Sequence, residues 1–164
     1  VTPDPTAQQI AKKTAMAADV VRRFGMSPKA ALLSHSNFGS RNNEFSRKMK
    51  EARQILHEQY PGVVVEGEMH ADSALSDEIR DQVFPHSRFK GAANLLVMPN
   101  LDSANIAYNM VKMLGEAVPV GPMLTGLKYP AHAVSDSITV RGIVNMSAVA
   151  VVDAIDWKTA HASG

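Results

Sequence analysis

The stretch SHSNFGS, residues 34–40, places small polar side chains directly after an apolar run that ends at Leu33. The hydroxyl groups and backbone amides of such a loop are able to cradle a phosphate or an acyl-phosphate group. The loop lacks the GxxxxGK pattern of a phosphate-binding loop, so a polar turn is the simpler interpretation. The residues of this stretch alone leave both roles open.

A second polar stretch, PNLDSAN, opens a predicted helix at residues 99–105. Asn100, Ser103 and Asn105 are able to hydrogen-bond a ligand there, because the first amides of a helix favour anions. Asp102 is more simply explained as the cap of that helix.

A third stretch, EGEMHAD, alternates charged and neutral residues from Glu66 to Asp72. On a strand, Glu66, Glu68, His70 and Asp72 would point to one face, as a metal or acid-base cluster requires. None of the six histidines lies in an HExxH or similar pattern. We therefore predict no metal site and interpret the stretch as a polar strand end that bonds to neighbouring loops.

The elements that position these loops alternate between helix and strand. Periodicity predicts helices over residues 4–25, 43–62, 74–84, 101–116 and 139–156, and strands over 29–36, 62–69, 92–100 and 117–127. In the first helix we expect Asp4 as the cap and Pro5 at the first position. This order predicts an α/β fold, with a mostly parallel sheet covered by helices on both faces. Ligands bind such sheets beyond the carboxyl ends of the strands.

The composition excludes several classes of function. With 164 residues the chain fits one domain, residues 1–164, and its net charge of +1 gives no reason to expect nucleic acid. The absence of cysteine excludes disulfides and thiolate chemistry, and it fits a cytoplasmic protein. No apolar run reaches the roughly 20 residues that cross a membrane. The start of the chain lacks the basic and apolar regions of a signal peptide. Because it also lacks an initiator methionine, we expect either a fragment of a longer protein or a processed product.

Several separated motifs together resemble the phosphate acetyltransferase/butyryltransferase family, from about Pro5 to Asp153. The likeness is greatest to the phosphotransacetylase-like C-terminal domain of large multidomain malic enzymes. It is carried, in order, by LLSHSNFGS, EGEMHAD, MPNLDSANIAYN and GLKYP followed by IVN. The resemblance implies the three-layer α/β/α fold of the isocitrate/isopropylmalate dehydrogenase type, and it implies that the chain is the latter part of a regulatory domain.

The resemblance also exposes departures from the active enzymes. Their first loop usually reads Ser-Phe-Ser-Thr-Lys-Gly-Ser, and here Phe38 stands at the lysine. Their later Ser-Arg pair binds the anionic substrate, and an aspartate six residues beyond the arginine prepares the thiol of coenzyme A. Counted back from IVN, Ser135 keeps the serine, Asp136 replaces the arginine and Gly142 replaces the aspartate.

These exchanges remove the chemistry of acetyl transfer. A carboxylate repels phosphate, by roughly 4 kcal/mol for unit charges 4 Å apart at an effective dielectric near 20. Glycine cannot act as a general base, a role that is typically worth roughly 100- to 10,000-fold in rate. The resemblance therefore implies a non-catalytic domain that senses acetyl-CoA. The alternatives are an active phosphate acetyltransferase and a purely structural oligomerisation module.

The resemblance further implies a parent that oxidatively decarboxylates malate to pyruvate with NAD(P) and a divalent metal, Mg or Mn. This chain itself is expected to hold no cofactor, no metal and no catalytic residue. Its expected partners are acetyl-CoA as effector, the malic enzyme catalytic domains in cis and a second copy, as a homodimer or higher homo-oligomer. Lys128 is the most plausible remaining cation for a phosphate of coenzyme A. The predicted acetyl-CoA or anion pocket consists of Ser34, Ser36, Gly39, Asn100, Asn105, Thr125, Gly126, Lys128, Ser135 and Asp136.

Overall fold

A computed structural model describes residues 2–87 and 89–162 of the chain. The chain forms two compact units, Val1–Tyr108 and Asn109–Gly164. The first unit contains α1 (Ala7–Arg23), β1 (Lys29–Leu33), α2 (Glu44–Gln59), β2 (Val64–Met69), α3 (Ala71–Leu75), α4 (Asp77–Val83) and β3 (Leu95–Val97). Helix α5 (Leu101–Leu114) begins in the first unit and ends in the second, which also contains α6 (Val140–His161).

The three strands form one parallel sheet in the order β2-β1-β3. Ala30 is paired with Val65 on one side and with Leu95 on the other. The register against β2 shifts between Leu32 and Leu33, so Leu33 pairs with Met69. The parallel α/β prediction is confirmed.

Helices cover both faces of the central strand, as its continuous apolar sequence predicts. Ala30 and Leu32 pack into a core formed with α1, α2 and β2. Ala31 and Leu33, which alternate with them, pack into a second core with Met69 of β2, with α3 and with the segment before β3. With one core on each face of the sheet, the helices and the sheet form the three layers of the predicted fold.

Helix α1 begins two residues later than predicted. The Thr6 hydroxyl accepts a hydrogen bond from the Gln9 amide at 3.3 Å, and the Gln9 side chain accepts from the Thr6 amide at 3.0 Å. This reciprocal cap satisfies two amides at once, so it outcompetes the predicted start at Asp4 and Pro5. The predicted exit at Gly25 is confirmed, with a φ of +76°.

The predicted helix over residues 74–84 is wrong as a single element. α3 ends at Leu75, and α4 starts afresh from Ser76, whose hydroxyl accepts from the Ile79 amide at 3.3 Å. Arg80 of α4 is fully buried and donates to the carbonyls of Ser73 at 3.0 Å and Gly91 at 3.1 Å. This side chain fastens α4 to α3 and to the segment that leads to β3.

The predicted fourth strand over residues 117–127 is also wrong. The structure places neither helix nor strand between Leu114 and Val140. Pro119 and Pro122 lack the amide hydrogen that a sheet ladder needs, and Gly121 adopts a φ of +146°. Among residues 2–87 and 89–162, every helix is too short or too polar to cross a lipid bilayer.

Candidate functional site

The loop SHSNFGS turns back over the carboxyl end of β2. The Ser34 amide continues the sheet by donating to the Met69 carbonyl at 2.9 Å. Phe38 and Gly39 then adopt left-handed φ angles of +49° and +87°. The turn is tight because Gly39 readily adopts a positive φ directly after the strained Phe38. As a result, residues 36–39 lie against Glu68.

Glu68 is the organising residue of this loop. Its side chain is buried, with 2% of the residue exposed. One carboxylate oxygen accepts from the Ser36 hydroxyl at 2.9 Å and from the Gly39 amide at 2.7 Å. The Glu68 carbonyl accepts from the Phe38 amide at 2.7 Å. The sequence predicts Glu68 in a polar strand end that bonds to neighbouring loops, and the structure identifies the SHSNFGS loop as its partner.

Asn37 joins the same loop to the start of α3. Its side-chain oxygen accepts from the His70 amide at 3.0 Å, and its side-chain nitrogen donates to the Ser73 hydroxyl at 3.0 Å. His70 Nε2 lies 3.0 Å from the His35 carbonyl and must carry the proton, because a carbonyl only accepts. These hydrogen bonds hold the loop after β1 against the segment after β2.

The amides of this loop therefore bond within the protein. They point to side chains and carbonyls of the loop and of Glu68, and the donors are the amides of Ser36, Asn37, Phe38, Gly39, Ser40 and Arg41. The Ser36 hydroxyl and the Gly39 amide donate to the buried Glu68 carboxylate rather than to a bound anion. Ser34, Ser36 and Gly39 lie together in this loop, but four of their donor groups are already used by protein acceptors: the amides of all three residues and the Ser36 hydroxyl.

Phe38 lies at the position where the resembled enzymes carry lysine. Its ring stacks on Phe84 with centroids 4.4 Å apart and planes 12° apart, and it packs against the second core. The place of a cation is thus taken by an apolar stack.

The acidic alternation of EGEMHAD stops at the end of β2. Glu66 and Glu68 lie on the strand, whereas His70 precedes α3 and Asp72 lies in its first turn. A common face for all four residues is therefore not maintained. Within the described part of the chain, no three histidine, aspartate or glutamate side chains are grouped closely enough to hold a metal ion.

Asn100 follows the end of β3, the strand beside β1. Its side-chain oxygen accepts from the Ser103 amide at 2.9 Å and from the Ser103 hydroxyl at 2.7 Å. Asn100 is therefore the cap of α5, and the prediction of Asp102 in that role is wrong. Asn105 is exposed on α5.

The other five predicted pocket residues belong to the second unit. Thr125, Gly126 and Lys128 are exposed on the segment between α5 and α6, and Gly126 has a φ of +78°. The Lys128 carbonyl accepts from the Trp157 indole at 3.0 Å, and its ammonium lies 5.5 Å from the centroid of the Tyr129 ring.

His132 holds that segment to α6. Its Nδ1 accepts from the Leu124 amide at 3.2 Å, and its Nε2 lies 2.9 Å from an Asp153 carboxylate oxygen. Only 5% of the His132 side chain and 16% of the Asp153 side chain are exposed. The sequence gives no sign of this pair, because the two residues are 21 positions apart and no local motif connects them.

Ser135 and Asp136 lie just before α6. The Ser135 hydroxyl is 3.1 Å from that of Ser137, and Asp136 is exposed. Gly142 lies in the first turn of α6, and its amide donates to the Thr139 hydroxyl at 3.1 Å. A Cβ at position 142 would lie 2.6 Å from Cγ1 of Ile138, so a larger residue does not fit unless Ile138 moves.

The comparisons with known proteins agree with this architecture. Residues 1–151 match the family model Phosphate acetyl/butaryl transferase. The chain is 53% identical over 91% of its length to the NAD-dependent malic enzyme of Rhizobium meliloti (strain 1021), and it covers 19% of that protein. It is 50% identical over 94% of its length to the NADP-dependent malic enzyme of Salmonella typhimurium (strain LT2), and it covers 20% of that protein.

A solved structure gives the same result for the fold. The chain superposes on a phosphotransacetylase from Streptococcus pyogenes with a TM-score of 0.90 and 32% identity. That superposition covers 95% of this chain and 47% of the other. The chain thus spans about one fifth of the length of the malic enzymes and about half of the phosphotransacetylase.

Proposed function

The chain belongs to the Phosphate acetyl/butaryl transferase family, and we propose that it is the non-catalytic, acetyl-CoA-sensing part of a malic enzyme. The likeness to two malic enzymes at 50% and 53% identity supports this parent. Malate oxidation, NAD(P) and a divalent metal would then belong to parts of the parent outside this chain. Those parts would act with this chain in cis.

The loss of two chemical groups carries the non-catalytic part of the proposal. Asp136 presents a carboxylate where the resembled enzymes use arginine, and Gly142 has no side chain where they use a base. The crowding of position 142 by Ile138 adds to this, since the local packing has adapted to glycine. Acetyl transfer by this chain would lack both charge stabilisation of the substrate and proton removal from the thiol.

A pocket that binds acetyl-CoA without consuming it is suited to sensing. An effector acts through its difference in affinity for two conformations of the protein. Lys128 is the cation that we assign to a phosphate of the effector, because its ammonium is exposed on the loop that precedes Ser135.

The test of the proposal is malate oxidation by the intact gene product, titrated with acetyl-CoA. We expect a saturable change in rate that is lost when residues 1–164 are deleted. A flat response with malate still oxidised would favour the structural oligomerisation module. An absence of malate oxidation would contradict the proposed parent.

The same preparation tests the alternative of an active phosphate acetyltransferase. This alternative is favoured by the superposition on the phosphotransacetylase. We expect no formation of acetyl phosphate from acetyl-CoA and phosphate above the uncatalysed rate. Sustained turnover that disappears with the deletion would contradict the loss of catalysis.

The assignment of Lys128 is tested by acetyl-CoA binding to the intact protein. We expect Lys128→Ala to weaken binding by about three- to fivefold, the range of an exposed charge pair. Lys158→Ala removes an exposed lysine near the end of α6 and is the matched control. Equal affinities of the two variants would remove Lys128 from the pocket.

A further inference from the structure

An open cleft of about 450 Å³ runs along α2 beside the SHSNFGS loop. Its charged lining comes from α2, from the residues before α2 and from Glu68 of β2. Gly39 is shared with the predicted acetyl-CoA pocket, but no cation of the cleft is. The cationic lining residues are Arg41, Arg47 and Lys50, and the carboxylates are Glu51 and Glu68.

Ordered backbone fixes the points from which the three cationic side chains extend. The Arg41 amide donates to the Ser36 hydroxyl at 3.1 Å, and the Arg41 carbonyl accepts from the Ser46 hydroxyl at 2.9 Å. Arg47 and Lys50 are three residues apart on α2 and therefore lie on one side of the helix. The three side chains thus project from a backbone that is hydrogen-bonded to the loop at one end and helical at the other.

The positive charge of the cleft is not neutralised by ion pairs. Within residues 2–87 and 89–162, none of the three cations belongs to an ion pair with a carboxylate. Among the described residues, the Arg47 guanidinium makes a single, long hydrogen bond of 3.4 Å, to the Asn42 side chain. All three residues are exposed.

The two carboxylates oppose this charge only in part. Glu68 is buried, and one of its oxygens accepts from the Ser36 hydroxyl and the Gly39 amide. Glu51 is exposed and reduces the potential of the cleft directly. The cleft therefore has three cations and two carboxylates, and one of these carboxylates, Glu68, is buried and hydrogen-bonded. The net charge of the cleft is positive.

We propose that this cleft is a binding site for a phosphate-bearing anion, such as the diphosphate or phosphomonoester of a nucleotide. The two guanidinium groups supply planar, bidentate donors for phosphate oxygens, and the Lys50 ammonium supplies a mobile point charge. The site does not depend on acetyl-CoA sensing, because it uses other cations than Lys128.

The test is isothermal titration of the intact gene product with inorganic diphosphate at low salt. We expect saturable binding that weakens by about three- to fivefold in Lys50→Ala and by at least as much in Arg47→Ala. Lys13→Ala, which removes an exposed lysine from α1, is the charge-matched control and should bind as the wild type does. Unchanged binding in all three variants, or no saturable binding by the wild type, would overturn the proposal.

Glu51→Gln gives a test in the opposite direction. Removing the exposed carboxylate should tighten diphosphate binding by about two- to threefold, because it removes a like-charge repulsion in the cleft. A gain in affinity cannot come from a variant that fails to fold. Weaker or unchanged binding in this variant would contradict the cleft as the site.

Two further ligands identify the source of the phosphate. If the site takes the phosphates of coenzyme A, diphosphate will compete with acetyl-CoA, and Lys50→Ala will weaken both. If the site takes a separate nucleotide or free diphosphate, acetyl-CoA affinity will be the same in wild type and Lys50→Ala. Diphosphate binding can thus be established even where malate oxidation does not respond to acetyl-CoA.

Discussion

At the scale of single residues, the SHSNFGS loop depends on one buried carboxylate. One carboxylate oxygen of Glu68 accepts hydrogen bonds from both the Ser36 hydroxyl and the Gly39 amide. If the side chain were removed, the Gly39 amide would lack its acceptor, and the Ser36 hydroxyl would keep the Arg41 carbonyl at 3.2 Å. A buried polar group without a partner costs more free energy than the net value of one hydrogen bond.

We expect Glu68→Ala to lower the free energy of unfolding by about 3 kcal/mol. Equilibrium unfolding in urea measures the loss, and amide exchange at Gly39 locates it. Glu58→Ala, at an exposed position of α2, should cost about 0.5 kcal/mol or less and is the control. Equal losses in the two variants would contradict the organising role of Glu68.

Position 142 supports a second prediction at this scale. A Cβ there would lie 2.6 Å from Cγ1 and 3.1 Å from Cδ1 of Ile138. Because Cγ1 is close to the backbone of Ile138, the clash cannot be relieved by the end of the side chain alone. The restoration of an aspartate therefore requires a change in packing as well as in chemistry.

We expect Gly142→Asp to lower the free energy of unfolding by about 1–3 kcal/mol, the usual cost of overpacking. Adding Ile138→Ala should recover part of this loss, because it removes the clashing atoms. Asp136→Arg, at an exposed position, should change stability by about 0.5 kcal/mol or less. Equilibrium unfolding in urea measures the stability of the three variants. An unchanged free energy of unfolding in Gly142→Asp would contradict the clash with Ile138.

At the scale of elements, the junction of β1 and β2 determines where the loop lies. Gly67 has a φ of +133°, in a region that residues with a Cβ rarely adopt. A Cβ at this position would lie 2.6 Å from the Leu32 carbonyl oxygen and 3.0 Å from the Leu32 Cβ. The next residue is Glu68, so the backbone of Gly67 aims that carboxylate at the loop.

We expect Gly67→Ala to lower the free energy of unfolding by about 3 kcal/mol or more, through backbone strain and through overlap with β1. Gly62→Ala is the matched control, since no atom lies within 4 Å of the added Cβ and its φ is ordinary. The control should be neutral or more stable by up to about 1 kcal/mol. Similar midpoints of urea unfolding for the two variants would contradict the close approach of β1 and β2.

At the scale of the whole molecule, large apolar side chains remain on the surface of α6. Val140, Val144, Val151 and Ile155 recur at helical spacing, and each is at least half exposed. Monomeric proteins rarely expose such continuous apolar surface. The chain also spans only about one fifth of the malic enzymes that it matches.

We expect the 164-residue chain, produced by itself, to self-associate as its concentration rises. Val151→Lys should reduce this association, because it places a charge in the apolar stripe of α6. Ala160→Lys adds the same charge nine residues further, on the opposite side of the helix, and is the control. Sedimentation velocity measures the association, and a monomer at every concentration would contradict the prediction.

The parallel sheet and most of the order of helices and strands follow from the sequence, but the break between α3 and α4 and the lack of a strand over residues 117–127 do not. The correct features follow from local periodicity and from the continuous apolar run of β1, each of which acts within a few residues. The family resemblance also followed from the sequence, because motifs such as EGEMHAD and GLKYP keep their order along the chain.

Which distant groups lie in contact depends on the tertiary structure. The bonds of Glu68 to the SHSNFGS loop span 29 and 32 residues, and the His132–Asp153 pair spans 21. The same long-range geometry decides between the two roles that the sequence left open for the SHSNFGS loop, since the loop amides bond within the protein. It also ended the acidic alternation at Met69 and left residues 117–127 without a strand. Local pattern cannot predict such contacts, because their free energy depends on which distant groups the fold brings within hydrogen-bond distance.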